Sequence, residues 1–280
     1  MPDKTIHIVK YSGESVPFSE EKLRRSLERS GANEDLVNTV LEKVNAELYE
    51  GITTRELYNR AYAILKKSRP LTASRYKLKK AIYELGPTGF PFEKFIHEIL
   101  HYSGYRTEVG KILKGRCVDH EIDVLAEKDD KFILVECKFH GEQGRNCNVK
   151  IPLYIHSRYQ DVKSSPDNGY SKTRQPDEAW VVTNTRFTKD ARTFGKCAGL
   201  YLLSWDYPKK DSLKKRIDRL GLYPITVSTL LSAREKQFLL SRDVVLCRQL
   251  MKDTFYLDHL GVSENRKKKI LSEIAGLCQH

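Results

Sequence analysis

Two carboxylates and an ammonium, Asp123, Glu136 and Lys138, stand in consecutive apolar segments of this chain. The first segment reads CVDHEIDVLAE (117–127), the second KFILVECKF (131–139), and the polar turn KDD separates them. Side chains alternate faces along a strand, so Glu136 and Lys138 share one face. A hairpin would bring Asp123 beside them. Two hard oxygen ligands suit a divalent cation such as Mg2+ or Mn2+. A neighbouring ammonium suits the orienting of an attacking water and the stabilisation of charge developing on a phosphate. Asp119 and Glu121 share parity with Asp123 and are further candidates for that face. The plainer reading is a solvated strand face on which Lys138 pairs with Glu136. The apolar residues packed around the two charges argue against it, because burying an unpaired charge is costly.

The flanking segments supply elements that could hold this group. FEKFIHEILHYSGYRTEV reads as a helix and its exit, with Gly104 and Tyr105 ending the helix. AWVVTNTRFTKDARTFGKCAGLYLLSWD reads as strand, helix, strand. With ECK preceded by EIDVLA, this arrangement resembles the PD-(D/E)xK nuclease superfamily, its Mrr-like restriction-endonuclease branch above all, over residues 88–206. The resemblance implies an α/β/α sheet, a metal held by Asp123 and Glu136, and Lys138 positioning the water. It prefers Asp123 to its parity mates, because the ID before VLA fits the family pattern. It places an assisting helical carboxylate at Glu93, with Glu98 as the alternative.

Residues 5–86 have an organisation of their own. IHIVKYSGESVPF reads as a β-hairpin; Ser19 would cap the amphipathic helix EEKLRRSLERSG, ended by Gly31. NEDLVNTVLEKVNAELYEG, TTRELYNRAYAILKKS and TASRYKLKKAIYELG read as three more helices. Through VKYSGESVPFSEEKL, GITTRELY and RYKLKKAIYELG this segment resembles the ATP-cone, a regulatory nucleotide-binding domain of ribonucleotide reductases and some bacterial repressors. Carried over by position, the resemblance implies that Val9 and Lys10 line the nucleotide and that Lys22 and Lys80 reach phosphate. Thr54 would sit at the capped start of the third helix, and Tyr58 stands where some relatives have histidine. A basic side chain beside a helix N-terminus is a sensible phosphate site. The plainer alternative is a small helical domain with solvated lysines.

LGPTGFPFEKF forms a Pro/Gly-rich hinge to the next unit. VKIPLYIHSRYQDVKSS reads as a helix on the sheet, in which Arg158 and His156 are placed for packing and salt bridging rather than phosphate. SPDNGYSKTRQPDE (165–178) reads as an exposed loop that could approach DNA. PKKDSLKKRIDRLGLYP (208–224) holds a lysine-rich helix, and paired short helices follow. LDHLGVSENRKKKIL resembles a helix-hairpin-helix, with Leu260, Gly261 and Val262 at the turn and Lys267, Lys268 and Lys269 nearby; a helical packing or assembly module is the competing reading.

The expected architecture is therefore α/β and multi-domain. A mostly helical ATP-cone with a β-hairpin cap spans 1–87, a restriction-endonuclease-like α/β/α sheet 88–207, and a small helical region 208–280. The 280 residues suffice for two or three such units, and a net charge of +12 favours a polyanionic partner. Six cysteines without paired spacing fit reduced thiols in a cytoplasm, and Cys137, His140 and Cys147 lack the second half of a zinc site. MPDKTIHIVK does not read as a signal peptide, and no apolar stretch approaches a membrane span. Together these readings predict a Mg2+- or Mn2+-dependent endodeoxyribonuclease of restriction or defence type, regulated by ATP or dATP and assembled as a homodimer or larger. No Walker-type motif is present, so the nucleotide would regulate rather than supply hydrolytic energy. Two alternatives stay open: a nucleotide-sensing DNA-binding regulator with an inactive nuclease fold, and an RNase or repair nuclease with the same chemistry.

Overall fold

Tight turns and side-chain caps set the N-terminal elements. Strands β1 (His7–Val9) and β2 (Ser15–Pro17) pair antiparallel across a turn in which Gly13 has a φ of +82°, a conformation that glycine adopts without a Cβ penalty. Helices α1 (Glu20–Glu28), α2 (Glu34–Ala46), α3 (Thr54–Ser68) and α4 (Pro70–Tyr83) follow. Ser19 accepts a hydrogen bond from the Lys22 amide to cap α1, and Thr53 accepts one from the Glu56 amide to cap α3. The computed structural model describes residues 5–170 and 174–279. Residues 171–173 of the expected DNA-approaching loop lie outside the described residues.

Two details of this unit differ from the sequence reading. A third strand, β3 (Ile52–Thr53), pairs parallel with β1, and at two residues it is too short to show a period. Helix α4 starts at Pro70 rather than Thr72, because proline lacks only an amide that the first turn leaves unbonded anyway. Leu27, Val40, Ile52, Ala61 and Leu65 form the core between these elements.

The second sheet has the order β4-β5-β6-β7-β8, formed by Arg106–Lys114, Asp119–Lys128, Lys131–Lys138, Glu178–Thr183 and Tyr201–Leu203. Strands β4, β5 and β6 run antiparallel in sequence, whereas β7 and β8 join parallel to β6. The β5–β6 turn places Asp129 and Asp130 at φ +50° and +59°, the left-handed pair that a two-residue hairpin requires. Strand β4 was not anticipated: its first residues, RTEV, were read as the exit of the preceding helix, and GKILK was given no element. Helix α5 (Phe90–His101) covers one face, packing Phe92, Phe95 and Ile99 over Val124, Val135 and Val182. Helices α6 (Lys150–Lys163) and α7 (Lys189–Cys197) cover the other, over Phe132, Leu134 and Val181.

The chain ends in helices α8 (Leu213–Leu220), α9 (Ala233–Ser241), α10 (Cys247–Lys252), α11 (Phe255–His259) and α12 (Glu264–Cys278). Leu213, Ile217, Leu250, Ile270 and Ile274 join the same core as α4 and α5. Gly261, at φ +67°, turns the chain between α11 and α12. In this hairpin Val262 is buried and Lys267 is paired with Asp258, while Lys268 and Lys269 are exposed. Among the described residues no helix is long and apolar enough to cross a membrane.

A buried carboxylate fastens α4 to the C-terminal helices. Glu273 of α12 accepts from the Ser74 hydroxyl at 2.8 Å, the Ser228 hydroxyl at 2.5 Å, and both the amide and hydroxyl of Thr229 at 2.8 and 2.6 Å. Removing the acceptor leaves four donors without it in a dry environment. Glu273→Ala is expected to lower unfolding free energy by about 3 kcal/mol, with Glu273→Gln losing less, as measured by urea denaturation.

Candidate functional site

Asp123 lies at a break in the sheet. The β4–β5 ladder pairs Val109 with Val124 and Lys111 with Ile122, passing over Gly110 and Asp123, and Gly110 takes a φ of +64°. The β5–β6 ladder begins only at Val124 and Val135. Ile122 packs under α6 whereas Val124 packs under α5, although strict alternation would put both on one face. Such a local break re-aims a side chain. Glu121 nonetheless stays close enough for its charge to act on Asp123, Glu136 and Glu93.

The re-aimed Asp123 carboxylate accepts the Cys137 amide at 2.6 Å and is thereby fixed beside Glu136. Glu136 is only 7% exposed. One of its oxygens accepts from Arg158 of α6 at 2.8 Å, while the other, Oε1, is buried without a hydrogen-bond partner among the described residues. Arg158 also donates to the Glu121 carbonyl and lies over the Tyr154 ring. Its pairing fits the expected salt-bridging role.

The surrounding charge acts on all the carboxyls. Burial, then the charge of Asp123, pushes Glu136 up to about 8. Burial, then Asp123 and Glu121, pushes Glu93 up to about 7. Asp123 is raised by burial, against the lowering effect of the Cys137 amide and Arg158. Glu93 of α5 is therefore the helical carboxylate in electrostatic reach of the pair. Glu98 points elsewhere, with Gln249 at 3.4 Å and His101, Lys252 and Lys94 as its charged neighbours.

Lys138 is exposed, close enough for its charge to act on Asp123, and among the described residues it forms no ion pair with either carboxylate. Its backbone is fastened from β7: the Thr183 hydroxyl donates to the Lys138 carbonyl at 2.7 Å. Asn184 brackets His140, accepting its amide at 2.9 Å and donating to its carbonyl at 2.8 Å. Sequence reasoning missed Thr183 and Asn184, because TN after an apolar strand is a common ending. The hinge touches this region too: a Cβ on Gly86 would stand 2.6 Å from the Phe139 ring, so only glycine fits there.

Among the described residues no group of three or more His, Cys, Asp or Glu side chains is arranged to hold a metal ion, and Cys137, His140 and Cys147 form no such cluster. The fit to a cation is that of a pair. Asp123 and Glu136 offer hard oxygen donors, and the orphaned Oε1 is a buried carboxyl oxygen lacking a donor among the described residues. Mg2+ is held in just this way, by one or two carboxylates with water and phosphate completing the shell.

In the N-terminal unit, Lys10, Lys22 and Thr54 line one cavity of about 520 Å3. Lys80 lines an adjoining cavity of about 270 Å3 and lies 6.0 Å from the Tyr58 ring centre. The apolar lining from β1 is Ile8, while Val9 stays in the ladder between Ser15 and Thr53. The Tyr58 hydroxyl is buried without a partner among the described residues.

The organisation of the N-terminal unit agrees with the family comparison. Residues 6–84 match the ATP cone domain, and residues 223–278 match the AF1548-like C-terminal family. The N-terminal unit is thus an ATP-cone, followed by a chain ending in an AF1548-like region. A protein of Archaeoglobus fulgidus, named only as uncharacterized, is 31% identical over 176 residues, which are 62% of this chain and 95% of that protein. The chain belongs to the family of that archaeal protein. The crystal structure of the protein of unknown function AF1548 superposes with a TM-score of 0.56 at 26% identity, covering 68% of this chain and 98% of that one.

The pKa directions fix a pH dependence. Glu93 and Glu136 keep their protons to about 7 and about 8, above their ordinary value of 4.5. Between those limits the folded chain binds more protons than the unfolded chain, so stability falls as pH rises. In chelator, the denaturation midpoint is expected to drop between about pH 5 and about pH 8. Glu136→Gln should flatten that slope, and added Mg2+ should restore stability at the alkaline end.

Proposed function

We propose that this protein is a divalent-cation-dependent nuclease that hydrolyses DNA phosphodiesters under the control of a nucleotide bound by its ATP-cone. The observation that carries the reading is the buried Asp123–Glu136 pair with its orphaned oxygen, beside an exposed Lys138 that has no ion pair among the described residues. The order of the second sheet, with α5 on one face and α6 and α7 on the other, supports a restriction-endonuclease-like core.

Asp123 and Glu136 would hold Mg2+ or Mn2+, whose chemistry is to polarise a water and neutralise phosphate charge. Lys138 donates hydrogen bonds to the attacking water or to a phosphate oxygen, with its backbone held still by Thr183. Glu93, protonated or not near neutral pH, can exchange a proton with water at the edge of the site. The basic surface, Lys268 and Lys269 of the α11–α12 hairpin included, attracts the duplex. Cutting both strands calls for two sites, so the working form is a homodimer or larger, in a restriction or defence setting.

A second reading has an observation of its own. Arg158 already supplies a positive charge to Glu136, which suits a DNA-binding regulator that senses nucleotide through a nuclease fold without cleaving. Plasmid nicking and linearisation with Mg2+ or Mn2+, with and without ATP or dATP, separates the two. Cleavage by wild type that falls at least about a hundredfold in Asp123→Ala and in Lys138→Ala is expected. Equal cleavage by all three proteins would remove the proposed site, and no cleavage under any condition would favour the regulator.

A further inference from the structure

Three cavities meet where the hairpin turn, the start of α3, helix α4 and the loop after β6 come together. The first, of about 520 Å3, has an apolar side formed by Ile8, Phe18, Leu57 and Tyr58. The second, of about 410 Å3, is lined by Lys10 and Lys79 from the cone and by Arg145 and Arg186 from the central unit. The third, of about 270 Å3, holds Lys80. Thr54 and Lys79 line all three. The loop rests directly on the cone, with an added Gly144 Cβ 3.9 Å from Tyr11.

The chemistry of this junction changes along its length. Its cone end is apolar and aromatic, with Tyr58 in its lining. Its far end gathers cations from two units. Lys10, Arg145 and Arg186 each have one carboxylate partner, Glu14 at 2.9 Å, Glu142 at 3.0 Å and Asp206 at 2.7 Å. Lys79 is exposed, forms no ion pair among the described residues, and stands close enough to Arg186 for the two charges to act on each other. Like charges held this close repel, and a polyanion relieves the repulsion.

We propose that a nucleoside triphosphate lies across this junction, its base and sugar in the cone cavity and its terminal phosphates between Lys79, Arg145 and Arg186. The proposal rests on the nucleotide-sensing half of the reading above and adds that the central unit completes the site. It also supplies a route to the carboxylate pair. Arg145 lies in the loop that begins after Lys138, and Arg186 follows the Thr183–Asn184 segment that fastens Lys138 and His140. A triphosphate tail therefore grips both strand ends that position Lys138, whereas a monophosphate reaches neither.

Calorimetry on the full chain with ATP, ADP and AMP tests this. Arg145 and Arg186 side chains are 68% and 62% exposed, so Arg145→Ala and Arg186→Ala leave the fold intact. Each is expected to weaken ATP by about tenfold or more while AMP affinity stays unchanged. Asp206→Asn frees Arg186 and should strengthen ATP. ATP affinity within about twofold of wild type in both arginine variants would overturn the shared site and leave a cone that binds nucleotide alone. Absence of heat with any nucleotide in wild type would overturn the shared site and the nucleotide-sensing reading together.

Discussion

Helix α4 is buried on two sides, and the arrangement of the whole chain depends on it. Ala73 packs into the core of the cone, while Leu78, Ala81 and Ile82 pack into the core shared by the sheet and the C-terminal helices. Between these faces most of the polar contacts of Ser74, Arg75 and Lys77 come from the far end of the chain. Ser74 donates to Glu273, the Lys77 ammonium meets Glu84 at 2.7 Å and the Thr226 carbonyl at 2.9 Å, and Arg75 donates to the Gly276 carbonyl. Buried polar groups left without such partners would be strongly destabilising. The cone is thus a layer fastened to the rest of the molecule rather than a bead on a linker.

That attachment gives the carboxylate pair its setting. With α4 fixed, the short hinge delivers α5 to one face of the sheet, Gly86 admits the Phe139 ring, and Glu93 comes within electrostatic reach of Asp123. Negative charge then gathers around the pair: burial first, and neighbouring carboxylates second, raise Glu136 and Glu93, while Arg158 lowers Glu136 and Asp123 and offsets part of the effect. The opposite sign collects across the loop after β6, where cone and sheet lysines and arginines face each other. The carboxylate pair and the cationic cleft are thus separated by only the few residues that follow Lys138.

Much of this was legible in the sequence, and the rest was hidden for physical reasons. The helix caps at Ser19 and Thr53, the β5–β6 turn and the strand-helix-strand after it all have local signals, so their elements fall where the residues indicate. The ATP-cone was legible because its hairpin and capped helices recur in a fixed order. Strand β3 was too short to show alternation, and β4 reads as mixed polar sequence because it is an edge strand with much of its surface in water. Asp123 was found by pattern, but its orientation depends on a break involving Gly110 in another strand. The clustering of Lys79, Arg145 and Arg186 could not be read at all, since it exists only once α4 and two loops are packed together.

The central claim is that Asp123 and Glu136 together form a cation site on which hydrolysis depends. Titration of the full chain with Mn2+, followed by electron paramagnetic resonance, tests it most directly. Bound Mn2+ in the wild type, lost in both Asp123→Asn and Glu136→Gln while circular dichroism shows the fold unchanged, is the predicted result. Equal Mn2+ binding by wild type and both variants, or none by the wild type, would contradict it.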